Sequence, residues 1–128
     1  MSTSTNAYLW LGLAGEQGDR DDFDTTKLHE LLGEDAELII KAGEWTDFID
    51  GELSHYDCEL VTHQSYSAPV YGIALKSSSY HARRGEANEV VCKPATKRQI
   101  EKLRAAASAV GWIGGESIAW RLASFWGV

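Results

Sequence analysis

Nine residues near the start of the chain, Ala7 to Gly15 (AYLWLGLAG), are apolar on both of the alternating sets that a β-strand presents. Leu9, Leu11 and Leu13 form one set; Tyr8 and Trp10, with small residues after them, form the other. A strand with one wet face would alternate with polar residues, whereas one apolar on both sides belongs in the middle of a sheet with both faces covered. The rest of the chain must therefore supply neighbouring strands and a covering layer.

A chain of 128 residues can do this once: it is long enough for one hydrophobic core and too short for two, so a single domain over residues 1–128 is expected. Five Trp, five Tyr and three Phe provide the apolar area without staples. Cys58 and Cys92 are the two cysteines, too few for a secreted disulfide framework, which points to a reducing, cytoplasmic compartment. Residues 1–6 carry no Lys or Arg and the apolar run that follows is short, so neither a signal peptide nor a membrane span is expected.

The next segments alternate between turn signals and short apolar patterns. Glu16 to Asp24 reads as a charged loop whose last Asp caps a short helix with Leu28, Leu31 and Leu32 at helical spacing, closed by Gly33. Ala36 to Ala42 (AELIIKA) fits two readings, since Glu34 and Asp35 ahead of it suit a helix N-terminus while its paired isoleucines favour a strand, and it is read as a strand. Trp45, Phe48, Ile49 and Leu53 fall three and four apart among acids, which suits a short amphipathic helix or a structured loop over 43–57. Cys58 to Gln64 and Val70 to Lys76 read as a hairpin turning around Ser67 and Pro69, Ser77 to Asn88 as an exposed loop, and Glu89 to Lys93 as a further strand. Thr96 and Gln99 have capping-box spacing just after Pro94 and open a helix that Gly111 ends, with Ile100, Leu103, Ala107 and Val110 on one face. After Gly115 the spacing of Ile118, Leu122 and Phe125/Trp126 predicts a last short helix, although Ile118, Trp120 and Leu122 also alternate. The expected class is α+β, a mostly antiparallel sheet with two to four helices on one face.

For chemistry, no phosphate-binding G-x-x-x-x-G-K-[ST] loop, G-x-G-x-x-G, G-x-S-x-G or H-E-x-x-H is present. His55, Cys58 and His63, with Cys92 as a fourth member, give a partial zinc-like spacing and the basis of a small metal-dependent enzyme, but the Cys-x-x-Cys pair of structural zinc sites is missing. A Cys–His nucleophile has no visible activating neighbour. Asp19, Asp21, Asp22 and Asp24 resemble a calcium loop only at first sight, since Phe23 and Asp24 stand where the fifth ligand and the glycine belong. No catalytic residue, metal or cofactor is assigned.

The charge distribution carries more information. Residues 1–60 hold 15 acids and 3 bases, residues 61–128 hold 4 acids and 9 bases, within a net charge of −7. Two readings follow: the halves neutralise each other internally, or each meets a charged partner. The functional expectation is a non-catalytic acidic binding protein that docks on the basic, nucleic-acid-binding surface of a partner protein, as an inhibitor of the kind phages and mobile elements encode. Its docking residues would be Asp19, Asp21, Asp22, Asp24, Glu44, Trp45, Asp47, Asp50 and Glu52, with Trp45, Phe48 and Tyr56 as anchors. The alternative is a nucleic-acid-binding module in which Arg83, Arg84, Lys97 and Arg98 bind phosphates.

Overall fold

The computed structural model describes residues 4–15, 22–63, 70–82, 87 and 89–127, with the side chains of 4–6, 63, 70 and 124–127 outside the description. The doubly apolar segment is strand β1, Ser4–Ala14, at the centre of a five-stranded antiparallel sheet. One of its edges is taken by β5, Ala119–Gly127, from Ser4 opposite Gly127 to Gly12 opposite Ala119. The other is shared by β3, Val70–Leu75, and β4, Tyr80–Ala82. β2, Cys58–His63, pairs with β3 on its far side and forms the outer strand. The antiparallel pairing of β2 with β3, the central strand and the α+β class are as the sequence indicates, while the turn expected around Ser67 and Pro69 lies outside the described residues.

β3 and β4 behave as one long partner of β1, interrupted by the 3-10 turn Lys76–Ser78. Gly12 lies opposite Ala74 and Leu9 opposite Tyr80, so the partner spends extra residues there and the ladder opens at Leu11. Ser78, buried, fills the gap: its hydroxyl donates to the Leu75 carbonyl (2.7 Å) and accepts from the Leu11 amide (3.0 Å). The two backbone groups would otherwise be left without partners inside the protein.

Four helices lie on the face that carries Leu11 and Leu13: α1, Thr25–Leu32; α2, Ala36–Lys41; α3, Trp45–Ser54; and α4, Lys97–Ala109. Their inner residues Leu28, Leu32, Ala36, Ile49, Leu53, Leu103 and Ala106 form one cluster with Leu11, Leu13, Ile73 and Leu75. Trp10, Val61 and Ala74 form a smaller cluster on the opposite face, where a Cβ at Gly72 would come within 2.7 Å of the Leu13 carbonyl oxygen and 3.1 Å of the Trp10 indole.

Four sequence expectations are corrected. Residues 36–41 are the helix α2, with Glu37 in the first turn and Lys41 in the last, where each suits the helix dipole; the neighbouring α3 lies along β2, its Asp50 accepting from the Leu60 amide (2.9 Å). Ile39 and Ile40 then gain more by packing on the helical core than by pairing. The tail is strand β5, since its alternation places Ile118 and Trp120 on the helical side and supplies the partner β1 needs. Residues 89–93 form no strand; that segment is held by the Trp120 indole, which donates to the Lys93 carbonyl (2.7 Å). Within the expected loop 77–88, residues 80–82 are β4.

α4 has both halves of its capping box, with the Gln99 amide donating to Thr96 Oγ1 (3.2 Å) and the Thr96 amide to Gln99 Oε1 (2.8 Å). Gly111, at φ +70°, ends it in the left-handed conformation that favours glycine.

Candidate functional site

Among the described residues, exposed carboxylates are concentrated on α1, α2, α3 and the turns that join them. Burying Leu28, Leu32, Ala36, Ile49 and Leu53 turns the charged residues of these amphipathic helices to solvent. Glu30, Glu34, Asp35, Glu37, Glu44, Asp47 and Asp50 are exposed. Over residues 24–54 there are nine carboxylates and two lysines. Among the described residues the ion pairs are Lys27–Glu30 (3.9 Å), inside this stretch, and Lys102–Asp57 (2.8 Å), at its border with α4. Among the described residues, the ion pair that joins the two halves of the chain is the one at that border.

Not every acid singled out from sequence belongs to this surface. Asp19 and Asp21 lie outside the described residues. Asp22 is fully buried between Gly15 and Gly114, too deep to meet a partner. Asp24 is exposed but also structural, one oxygen accepting from the Thr26 amide (2.9 Å) as the cap of α1. Asp50 keeps an exposed carboxylate while tying down β2. Glu44 and Asp47 are exposed and Glu52 is partly so.

Trp45 is the clear correction among the anchors. It is 7% exposed, packed edge-on against Phe23 with ring centroids 5.6 Å apart, and belongs to the core. Tyr56 also packs against that cluster. Phe48, in contrast, is 46% exposed on α3 and Leu38 is 69% exposed on α2. The acids Glu30, Glu34, Asp35 and Glu37, together with Leu38, are the part of this surface that sequence reasoning did not single out. The signal was present as Glu34 and Asp35 just before an apolar stretch, a favourable arrangement at a helix start, but the strand assignment of 36–42 concealed it.

Between the end of α1 and the start of α2 lies a depression of about 370 Å³, lined by His29, Gly33, Glu34, Asp35, Ala36, Glu37 and Leu38. Its lining combines apolar Ala36 and Leu38 with the carboxylates of Glu34, Asp35 and Glu37.

The basic residues named for nucleic-acid binding divide similarly. Arg83 and Arg84 lie outside the described residues; Lys97 and Arg98 are exposed in the first turn of α4.

Among the described residues the metal-type set does not assemble. His55 is exposed at the end of α3, Cys58 is buried in β2, Cys92 is exposed on the segment before α4, and the side chain of His63 is outside the description. Among the described residues no group of three His, Cys, Asp or Glu side chains could hold a metal. Burial, reinforced by the Asp57 charge, pushes the Cys58 thiol up to about 11, the reverse of what a nucleophilic thiolate requires.

On the helix-free face Glu59 accepts from the Tyr8 hydroxyl (2.5 Å) and from the Ser79 hydroxyl (2.8 Å). Burial and the Glu59 carboxylate push Tyr8 up to about 12, so it acts as a donor that braces β1 against β2. Comparison with protein families, with curated proteins and with solved structures gives no match. Among the described residues no helix is long and apolar enough to cross a membrane.

Proposed function

We propose that the chain is a non-catalytic binding protein whose acidic helical layer docks on the basic surface of a partner protein. The observation that carries this reading is the excess of exposed carboxylates on α1, α2 and α3, with Lys27–Glu30 as the ion pair within that stretch among the described residues. Such a surface projects a negative field that speeds encounter with a cationic partner and selects against anionic ones. Field alone gives little residence time; Leu38 and Phe48, exposed among the acids, supply apolar area that a partner can bury. The depression beside Leu38 fits a Lys or Arg side chain, with the aliphatic stem on Ala36 and Leu38 and the cation at Glu34 and Glu37.

The partner that fits best is a nucleic-acid-handling protein, because its Lys/Arg channel is built to receive repeated negative charge. The chain would compete with nucleic acid for that channel. An inhibitor of the sort that phages and mobile elements encode is the role such competition would serve.

The test is affinity capture at low salt with the natural chain and with the triple variant Glu37→Lys/Glu44→Lys/Asp47→Lys, three exposed positions outside the core. The natural chain should retain a basic protein that is released by roughly 0.5 M salt, where screening is short-ranged, and displaced by added duplex DNA. Equal retention of that protein by the triple variant would overturn the reading.

A further inference from the structure

On the other side of the Lys102–Asp57 border is a cavity of about 390 Å³, lined by Asp57, Leu75, Lys76, Ser77, Thr96, Arg98, Gln99 and Lys102. We propose that it binds the phosphate group of a small phosphorylated ligand, with Lys76, Arg98 and Lys102 as the receiving cations and Asp57 as a resident carboxylate that the ligand displaces.

The three cations come from two elements. Lys76 opens the 3-10 turn that interrupts the β1 ladder, while Arg98 and Lys102 stand one helical turn apart on α4. An internal anion already marks where they converge. Asp57 pairs with Lys102 at 2.8 Å, and the charges of Lys76 and Arg98 also reach its carboxyl, which is held below the usual carboxylate range by Lys102 foremost. One carboxylate against three cations leaves the cavity with a surplus of positive charge. Among the described residues neither Lys76 nor Arg98 is in an ion pair.

Displacing Asp57 is undemanding. Its side chain is 72% exposed, and exposed ion pairs contribute little because water and salt compete for both partners. Its backbone, by contrast, is fixed: φ is +57° and its carbonyl accepts from the Lys76 amide (2.9 Å). The carboxylate can therefore leave while the rim stays in place. Thr96 and Gln99, locked in the capping box, stiffen the opposite wall. A phosphate group offers more acceptor oxygens than a carboxylate and can take two parallel bonds from an arginine fork, so it should win the exchange. The volume falls within the roughly 300–1,000 Å³ of small-ligand sites, and the cations face one depression instead of tracking a groove as a nucleic-acid backbone requires.

The experiment is titration of the full chain with inorganic phosphate, ribose 5-phosphate and a twelve-residue oligothymidylate, read by amide chemical shifts at low ionic strength. Both small phosphates should give saturable shifts around Asp57, Ser77 and Arg98. Arg98→Ala and Lys76→Ala, at exposed positions, should each weaken binding by roughly tenfold, the loss expected for a charge-assisted hydrogen bond. Asp57→Asn, which keeps a residue type at home at positive φ, should tighten it by about threefold or more, because the resident competitor is gone. Thermal melts accompany each variant; should an alanine variant melt early, Arg98→Gln and Lys76→Gln take its place. No saturable shift with either small phosphate, or unchanged or weaker binding in Asp57→Asn, would overturn the proposal. So would tighter binding of the oligothymidylate than of ribose 5-phosphate, which would assign the cations to nucleic acid.

Discussion

α3 and α4 lie together on one face of the same sheet and use it in the same way, yet they meet solvent with opposite charge. Inward, Ile49 and Leu53 of α3 and Leu103 and Ala106 of α4 share a single cluster. Outward, α3 carries Asp47, Asp50 and Glu52, whereas α4 carries Lys97, Arg98, Lys102 and Arg104. They also begin differently: α4 has a reciprocal capping box, while Glu44 ahead of α3 makes no side-chain cap. α4 is thus specified by local signals and α3 mainly by what it buries. The same fold layer presents two surfaces of opposite sign, joined at Lys102–Asp57.

The comparison can be probed from the inside outward. Leu53→Ala and Leu103→Ala each empty a fully buried site, and each should cost about 2–5 kcal/mol by denaturant melts, the range for such cavities. A cost under about 1 kcal/mol on either side, well outside that range, would show that the two helices do not share the core equally.

The helix starts should separate them next. Thr96→Ala removes a cap worth about 1 kcal/mol, whereas Glu44→Ala removes none and should stay within about 0.5 kcal/mol. Equal losses would mean that α3 has a cap that its geometry does not reveal.

Alkaline titration reaches the core that the two helices share. Cys58 is buried with Leu53 and Ile49, and its thiol is raised from 9.0 to about 11. A raised pKa means that the folded state holds the proton more tightly. That contribution is fully present below pH 9 and is lost as pH rises toward 11. Tyr8, raised from 10.0 to about 12, adds a second loss over the higher window. Stability should therefore decline from about pH 9, and Cys58→Ala should flatten the first part of the decline while lowering the plateau. A thiol reagent at neutral pH should label exposed Cys92 and leave Cys58 until the protein unfolds.

The smallest effect on stability is expected from the surface itself. Glu37→Lys and Asp47→Lys should shift unfolding by no more than about 0.5 kcal/mol, while abolishing the proposed docking. A large stability change would place those carboxylates in structural roles.

How much of this was readable beforehand depends on whether a segment's fate is decided locally. α4 could be placed from Thr96, Gln99 and Gly111, and the β2–β3 hairpin from its alternation, because capping and strand periodicity are local. Residues 36–41 and the tail were misjudged because each is short enough for two periods to fit. What decided them was long-range packing: β5 pairs along the whole of β1 and puts Trp120 on the helical core, and Ile39 and Ile40 pack on the same core from α2. For the candidate surface, the acidic bias was readable, but the use of each acid was not. Asp22 and Asp24 look alike in sequence; one is interior and one caps a helix. The convergence of Lys76 with Arg98 and Lys102 depends on a turn inside the sheet, which spacing along the chain does not reveal.

That turn has a consequence for how the chain tolerates change. Because Lys76–Ser78 adds an odd number of residues, it shifts the phase of the alternation: even-numbered side chains of β3 and odd-numbered ones around β4 share the helix-free face, which is how Ser79 reaches Glu59 and His81 stands opposite Tyr8. Lengthening or shortening it by one residue would rotate β4 by half a turn and send Tyr80 and His81 to exchanged faces. Altering it by two would preserve which side each residue takes and change only the reach. Parity, more than size, is what this segment has to conserve.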